Sequence, residues 1–342
     1  MTTDFPFARD GHSFVIAEAG VNHNGSMDFA RQLVVAARDA GADAVKFQTF
    51  NTDRLVTAAA PKAAYQERAT GTEESQADML RRLELSADSH RELRDLARAA
   101  GLVFLSTPFD EAAADLLDEL GVELFKIPSG EITNLPFLRH VAAKAKPVIL
   151  STGMATLTEV RSAIEALAGC DLTLLHCVSN YPTAPADANL RAMATMRDEF
   201  GLPVGFSDHT LGIEIAIAAA ALGAVVIEKH VTLDRTLPGP DHAASLEPAE
   251  LKSMVSAIRN VQLALGHGRK EPAASEANTA QVARKSLVAA SDLPAGAVLD
   301  ADMIAIMRPG TGLAPSLRET LVGRRLRCAV QSGTLFTVEM FE

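Results

Sequence analysis

Eight short apolar runs in the first two thirds of the chain each end in a polar or ionisable residue. The runs are FVIAEAG, AVKFQTF, VFLSTPF, LFKIPSG, VILSTGM, TLLHCVS, VGFSDH and VVIEKH, between Phe14 and His230. A segment with helical spacing follows almost every run, as in Met27–Ala40 before Gly41 and Pro248–Leu265 before Gly266. Eight β–α units in series predict an α/β fold, a (β/α)8 TIM barrel with its active site at the carboxyl ends of the strands.

The chain is longer than one barrel requires. It has 342 residues, whereas a plain barrel needs about 250, which indicates a second unit. Residues 267–283 are polar, rich in Ala and without a period, and they predict a linker. Beyond it, strand-like pieces (SLVAA, AVL, IAIM, LRCAV, LFTV) alternate with turn sequences. We therefore expect a catalytic barrel over 1–266, a linker over 267–283 and a small, mostly β domain over 284–342.

One insertion interrupts the regular alternation. Residues 51–85 follow the second strand and are rich in Ala, Thr and Glu, with Tyr65, Gln66 and a GTEES stretch. A segment of this length on the catalytic face predicts a loop that covers the substrate.

Charge and composition exclude several classes of function. The net charge of −11 argues against sequence-independent binding of nucleic acid. The longest apolar run, Ile215–Ile227, is too short to cross a bilayer, and the amino-terminal residues show no secretory signal. The three cysteines lie far apart without metal-binding spacing, which is typical of a reducing compartment. The expected location is the cytoplasm, without a membrane or nucleic-acid partner.

Two lysines lie inside apolar strands. Lys46 and Lys126 occupy comparable strand positions, and burying an unpaired ammonium group is costly, so a shared anion is one explanation. Salt bridges to Glu18 and Glu131 are the alternative. Strand-end hydroxyls favour a phosphate site; they belong to Thr107, Ser129, Ser151 and Ser207.

Two histidines end the seventh and eighth runs. His209 and His230 are neighbours in such a barrel, and with Glu228 nearby they fit a divalent metal site with open positions. A pair of structural histidines is the alternative. Asp208 is a candidate for orienting a ligating histidine. Glu18 and Glu131 can exchange protons with substrate or simply neutralise the lysines, and the residues alone leave both roles open.

The order of the motifs resembles that of the sialic acid synthase family. The stretches IAEAGVNHNG, AVKFQTF, STPFD, KIPSGE, LSTGM, CVSNYPT, GFSDHT, EKHVTLD and PGPDHAASLEP carry the resemblance in the barrel. In the tail, SDLPAGAVL, MRPGTG and LVGRRL are similar to the antifreeze-like (SAF, β-clip) domain of those enzymes. The resemblance covers nearly all of residues 12–342.

The resemblance implies roles for residues at matching positions. Six match the positions that hold the phosphate and carboxylate of phosphoenolpyruvate (PEP): Lys46, Thr107, Lys126, Ser129, Ser151 and Ser207. Four match catalytic and substrate-orienting positions: Glu18, Gln48, Glu131 and Glu228. Two match metal ligands, His209 and His230, and three match sugar contacts: Tyr181, Asp241 and Arg308. In the family, the partner subunit's tail supplies the arginine.

The resemblance also implies a reaction. It is the condensation of PEP with an N-acetylated hexosamine and water, which gives a nine-carbon 2-keto sugar acid and phosphate. The leading interpretation is an N-acetylneuraminate (sialic acid) synthase that uses N-acetylmannosamine. An N,N'-diacetyllegionaminate synthase that uses 2,4-diacetamido-6-deoxymannose is the first alternative, and another PEP–aldose condensing enzyme is the second. A divalent metal, Mn²⁺ or Mg²⁺, and a domain-swapped homodimer are implied as well.

Overall fold

The computed structural model describes residues 12–71 and 74–342 and divides the chain into two compact units, 1–266 and 267–342. The amino-terminal segment considered for a secretory signal and part of the GTEES stretch lie outside the described ranges. No helix within these ranges is long and apolar enough to cross a membrane.

The first unit is built on eight parallel strands. They are β1 (Phe14–Gly20), β2 (Ala44–Thr49), β3 (Val103–Pro108), β4 (Phe125–Ile127), β5 (Val148–Ser151), β6 (Leu172–Cys177), β7 (Val204–Asp208) and β8 (Val226–His230). Hydrogen-bonded ladders join them in the order β3-β2-β1-β8-β7-β6-β5-β4, and β3 and β4 pack together to close the sheet. The predicted TIM barrel is confirmed. Its strands are buried along almost their whole length because helices cover the outside and side chains fill the inside.

Eleven α-helices accompany the strands in the described part of the first unit. They are α1 (Met27–Ala40), α2 (Thr52–Leu55), α3 (Ala64–Thr70), α4 (Gln76–Arg81), α5 (Ala87–Ala99), α6 (Glu111–Glu119), α7 (Leu135–Ala142), α8 (Leu157–Ala166), α9 (Arg191–Phe200), α10 (Glu214–Ala221) and α11 (Pro248–Leu265). The first has the ends that its sequence predicts: Ser26 accepts a hydrogen bond from the backbone of Phe29, and Gly41 adopts the left-handed conformation, with φ of 78°.

The insertion after β2 is a small folded lobe. Helices α2, α3 and α4 lie within it, where the sequence predicts a covering loop. Met79 and Leu83 pack with Val21 and Phe50 in a separate apolar cluster. The buried Lys62 donates hydrogen bonds to Thr70 (2.9 Å), to the carbonyl of Gly71 (3.0 Å) and to Glu74 (3.2 Å). These contacts give the lobe a definite structure.

The second unit begins with a short helix, α12 (Ala277–Ala283), within the segment predicted as a linker. Its two strands, β9 (Ser286–Ala289) and β10 (Ile304–Met307), are antiparallel. The other predicted strand pieces contribute single bridges, such as Val298 with Arg325 and Leu326 with Phe341. Leu287, Leu326 and Phe336 belong to its own apolar core. This small, mostly β unit confirms the second part of the predicted fold.

An ion pair lies fully inside the wall of the barrel. Lys229 of β8 and Asp208 of β7 are 2.8 Å apart, and both side chains are 0% exposed. Lys229 also donates to the carbonyl of Thr210, and Asp208 accepts from the backbone and hydroxyl of Thr210. Because side chains alternate along a strand, this pair lies opposite Ser207, His209, Glu228 and His230.

We predict that Lys229→Met lowers the free energy of unfolding by about 3–5 kcal/mol, because it leaves the Asp208 carboxylate buried without its cation. Adding Asp208→Asn should restore part of the loss. Urea unfolding followed by circular dichroism measures both. A loss below about 1 kcal/mol for the single variant would show that water or another group solvates Asp208.

Candidate active site

The carboxyl ends of the strands surround a cavity of about 470 Å³. Thirteen of the fifteen residues to which the family resemblance assigns a site role line it: Glu18, Lys46, Gln48, Thr107, Lys126, Ser129, Ser151, Tyr181, Ser207, His209, Glu228, His230 and Asp241. Strand register brings many of them to one level, since Glu18 pairs with Lys46 on one side and with His230 on the other. Eight separate strand ends thus converge on one site.

Lys46 forms one half of the cavity floor. Its ammonium group lies 2.8 Å from Glu18 and 3.8 Å from Glu228, and it donates to the hydroxyl of Thr107 at 2.8 Å. Burial alone lowers the pKa of Lys46, but Glu18 and Glu228 outweigh burial and raise it. The Lys46–Glu18 salt bridge considered from the sequence is therefore present. The lysine stays charged.

Lys126 forms the other half of the cavity floor. It donates to Ser151 at 2.7 Å and lies 3.5 Å from Glu228, whereas the sequence alternative paired it with Glu131. Burial lowers the pKa of Lys126, and Glu228 opposes the shift. Burial would raise the pKa of Glu228, but Lys126 and Lys46 together bring it below the usual value. One ionised carboxylate is therefore shared by two ammonium groups.

Ser129 lies beside this floor. Its hydroxyl accepts a hydrogen bond from the backbone of Gly153 at 2.9 Å and lies 3.2 Å from the sulfur of Cys177. A Cβ at Gly153 would lie 2.3 Å from the hydroxyl of Ser179 and 2.9 Å from that of Ser129, so a larger residue here would displace these two hydroxyls. Cys177 is buried and also borders the cavity.

Glu18 has an unusual protonation equilibrium. Burial raises its pKa from 4.5 to about 7, although the nearby Lys46 opposes the shift. Gln48 donates to Oε1 of Glu18 at 3.5 Å, whereas Lys46 lies 2.8 Å from Oε2. At neutral pH this carboxyl group is present in both forms, which is the property that a proton-transfer group needs.

His209 and His230 lie side by side, with ring centroids 5.6 Å apart. The Nδ1 of His209 is 2.7 Å from the carbonyl of Val178, to which it donates, so Nε2 keeps its lone pair. Burial lowers the pKa of His209 to about 4. Burial and, to a smaller extent, the neighbouring His209 hold the pKa of His230 well below its ordinary value. Both rings are neutral at physiological pH.

These two imidazoles fit a divalent metal ion. The Nδ1 of His230 is buried without a hydrogen-bond partner and lies 3.9 Å from Asp241. Within residues 12–71 and 74–342, no group of three or more His, Cys, Asp or Glu side chains is arranged to hold a metal. The protein therefore offers two neutral nitrogen donors and leaves other positions to substrate or water. Asp208 does not orient either ring, because Lys229 and Thr210 occupy its oxygens.

An aromatic stack covers the histidines. The ring centroid of Tyr181 lies 4.1 Å from that of His209, and the ring centroid of Tyr65, in the insertion, lies 4.9 Å from that of Tyr181. The sequence placed Tyr65 only in a covering segment and gave it no contact. Asp241 borders the same space, and burial raises its pKa to about 6, opposed by Lys46.

Two predicted site residues are not among those that line this cavity. Glu131 lies in the 3₁₀ turn Ser129–Glu131 after β4, and its carboxylate accepts a hydrogen bond from Asn134 at 2.7 Å. The turn directs the side chain toward the start of α7. Arg308 is exposed in the second unit and forms no ion pair with any residue in the described part of the chain. The roles suggested for both stay predictions.

Comparison with known proteins identifies the class of this site. Residues 33–270 match the NeuB family and residues 284–342 match the SAF domain. The N,N'-diacetyllegionaminic acid synthase of Legionella pneumophila is 48% identical over 336 residues, 96% of this chain and 94% of that protein. The synthase of the same name from Campylobacter jejuni is 47% identical over 317 residues, 91% of this chain and 95% of that protein. The crystal structure of N-acetylneuraminic acid synthetase from Leptospira borgpetersenii, in complex with citrate, has a TM-score of 0.69 and 37% identity and covers 78% of this chain and 90% of that chain.

The chain belongs to the NeuB family and carries a SAF domain. It is a PEP-dependent nonulosonate synthase, a transferase that forms a carbon–carbon bond between PEP and an amino sugar. Synthases of this family are metal-dependent. The resemblance seen in the sequence motifs is thereby confirmed.

We predict that the acid limb of the pH profile of kcat/KM has its midpoint near pH 7 and reflects Glu18. Below that pH the carboxyl is protonated and cannot accept a proton; above it the ionised form accumulates. Glu18→Gln should remove this limb and reduce the rate about 10²- to 10⁴-fold. Initial rates of phosphate release from PEP measure the profile. A limb that survives in Glu18→Gln but disappears in Glu131→Gln would assign the proton transfer to Glu131.

Proposed function

We propose that this enzyme is an N,N'-diacetyllegionaminate synthase. It condenses PEP with 2,4-diacetamido-6-deoxymannose and water and releases phosphate. The similarity to two synthases of that name, at 48% and 47% identity over more than nine tenths of the chain, supports this acceptor over N-acetylmannosamine, which the motifs alone favoured. The neuraminate synthetase reported above has 37% identity.

The structural observation that supports an acceptor without phosphate is the distribution of charge in the cavity. Among its described lining residues, the only Lys or Arg side chains are Lys46 and Lys126, and both lie at the floor. They and the hydroxyls around them can hold the phosphate and carboxylate of PEP. A phosphorylated acceptor would need a second set of cations, so the cavity supports an acceptor without phosphate.

The residues support the following sequence of events. Lys46 and Lys126, with Thr107 and Ser151, bind PEP, and Ser129 and Ser207 extend that set of donors. Carbon 3 of PEP attacks the aldehyde carbon of the open-chain sugar, and the aldehyde oxygen takes up a proton to become a hydroxyl group. The new carbon–carbon bond leaves cationic character at carbon 2. Water adds to carbon 2 and loses a proton, and the resulting hemiketal phosphate expels phosphate by cleavage of its carbon–oxygen bond.

Other residues orient the reactants and move protons. Glu18, with its pKa near 7, takes the proton from the attacking water, and Gln48 holds the Glu18 carboxyl. Glu228 keeps both lysines in place, and Tyr181 and Asp241 contact the sugar. A divalent ion held by His209 and His230 would supply Lewis-acid polarisation of the aldehyde.

Three further parts of the proposal rest on the family resemblance. The ion is Mn²⁺ or Mg²⁺, since oxygen ligands from substrate complete the coordination. The enzyme is cytoplasmic. It acts as a domain-swapped homodimer in which the partner's tail brings its arginine, at the position of Arg308, to the N-acetyl group of the sugar. Sedimentation equilibrium of the full chain tests the dimer, and a monomer at assay concentrations contradicts it.

We predict that phosphate release with 2,4-diacetamido-6-deoxymannose has a kcat/KM at least about tenfold above that with N-acetylmannosamine. N-acetylmannosamine 6-phosphate should be the poorest acceptor, because Lys46 and Lys126 are the only Lys or Arg among the described residues that line the cavity within one chain, and the arginine proposed from the partner is assigned to the N-acetyl group. Chelation should abolish the reaction and Mn²⁺ should restore it. A preference for N-acetylmannosamine would instead make the protein a neuraminate synthase. Full activity after verified removal of metal would contradict the role of the two histidines.

A further inference from the structure

The outer part of the cavity differs sharply from its floor. The insertion contributes five aliphatic or thioether side chains to it: Leu55, Val56, Met79, Leu80 and Leu83. Its two amides that line the cavity are joined to each other, since Gln76 donates to Gln66 at 3.3 Å. Phe50 and Phe109 lie beside them, in edge contact at 5.9 Å. The floor, in contrast, holds two ammonium groups and two carboxylates. We call Leu55, Val56, Met79, Leu80 and Leu83 together the apolar wall.

The apolar wall has a definite shape. Met79 is 1% exposed and belongs to the cluster formed with Val21, Phe50 and Leu83. Gly25 of the β1–α1 loop lies so close to the insertion that a Cβ there would be 2.5 Å from the carbonyl oxygen of Arg82. The insertion thus packs against the barrel at two places, through Met79 and Leu83 on Val21 and Phe50 and through Arg82 on Gly25. A wall fixed in this way can select a substrate by shape and polarity.

Tyr65 connects the apolar wall to the reacting end of the cavity. It lies on helix α3, its ring contacts Tyr181, and Tyr181 in turn contacts both His209 and His230. Burial raises the pKa of Tyr65, with Asp241 adding to the shift, so the phenol stays neutral. Because the Tyr65 ring contacts Tyr181, a sugar held against Tyr181 and Asp241 lies next to the Tyr65 ring.

The reaction itself decides which end of the acceptor meets the apolar wall. The aldehyde carbon must lie at the floor, because PEP binds there. Carbons 4 to 6 of the sugar then extend toward the opening. In N-acetylmannosamine this end carries hydroxyl groups, whereas the 6-deoxy, 4-acetamido sugar presents two methyl groups.

We infer that Tyr65 and Val56 determine which acceptor this synthase uses, by selecting a sugar whose far end carries methyl and acetamido groups. The inference rests on the proposed function and assigns its selectivity to the insertion. A hydroxyl placed against the apolar wall loses water without gaining a partner, while a methyl group gains contact. One such difference changes kcat/KM about 10- to 200-fold.

The test measures the ratio of kcat/KM for 2,4-diacetamido-6-deoxymannose to that for N-acetylmannosamine. Val56→Thr adds a hydroxyl to the apolar wall at nearly unchanged shape and should lower the ratio about tenfold. Tyr65→Ala should lower it at least as much, and Tyr65→Phe should keep it within about threefold. Arg68→Ala is the matched control, because Arg68 is exposed on the same helix and does not line the cavity.

The KM for PEP should stay unchanged in all four variants, because Val56, Tyr65 and Arg68 are not among the ion-pair or hydrogen-bond partners of Lys46 and Lys126. Ratios that match the wild type in both Val56→Thr and Tyr65→Ala overturn the inference, and so does a ratio lost in Tyr65→Phe, which would assign selectivity to the phenol hydroxyl. An equal fall of both kcat/KM values with PEP affinity would mean a structural role only.

The wild-type enzyme separates this inference from the proposed function. If it prefers N-acetylmannosamine, the proposed function fails, whatever the variants do. If it prefers the diacetamido sugar and the variants keep that preference, only the inference fails. Binding provides a second measurement: the chain has two tyrosines and no tryptophan, so its tyrosine fluorescence arises from the stacked pair alone. The diacetamido sugar should change it more than N-acetylmannosamine at equal concentration.

Discussion

Two ammonium groups buried inside the barrel are the constraint on which the rest of the site depends. The side chains of Lys46 and Lys126 are 4% and 3% exposed. Because so little water reaches their ammonium groups, hydration alone cannot stabilise the charges. Glu228 serves both, and Glu18 serves Lys46 with a carboxyl group that is only half ionised near neutral pH. Two ammonium groups at the floor thus face two carboxylates, of which Glu18 is only partly ionised. These ammonium groups offer an anion a local binding site in a protein whose net charge is −11.

The same arrangement explains the neutral histidines. His209 and His230 lie at the ends of the two strands that carry Ser207 and Glu228, close to the lysines. Burial and nearby positive charge hold their pKa values below the ordinary range, which preserves lone pairs for a metal. On the opposite face of those strands, Lys229 and Asp208 form a separate, fully buried pair. Alternation of side chains along β7 and β8 therefore keeps a stabilising pair apart from a reactive one.

Strand alternation also explains how much of the molecule the sequence can predict. Apolar runs that end in polar residues predict both the barrel and the cavity floor, because parallel strands all place their carboxyl ends on one face. Glu131 escapes this rule: β4 ends at Ile127, and the following turn directs Glu131 to Asn134. The contacts of Tyr65 were not predictable either, since the insertion has no period that sets the direction of its side chains. The position of Lys229 between Glu228 and His230, by contrast, contains the signal for an outward-facing partner.

The proposed function depends above all on the binding of PEP by Lys46 and Lys126. Calorimetric titration of PEP into the wild-type chain and into Lys126→Met, without acceptor, tests it most directly. Removing one charged donor should weaken binding about 10- to 100-fold while the variant stays folded by circular dichroism. An unchanged dissociation constant in a folded Lys126→Met variant would contradict the account, because PEP would then bind somewhere other than this floor.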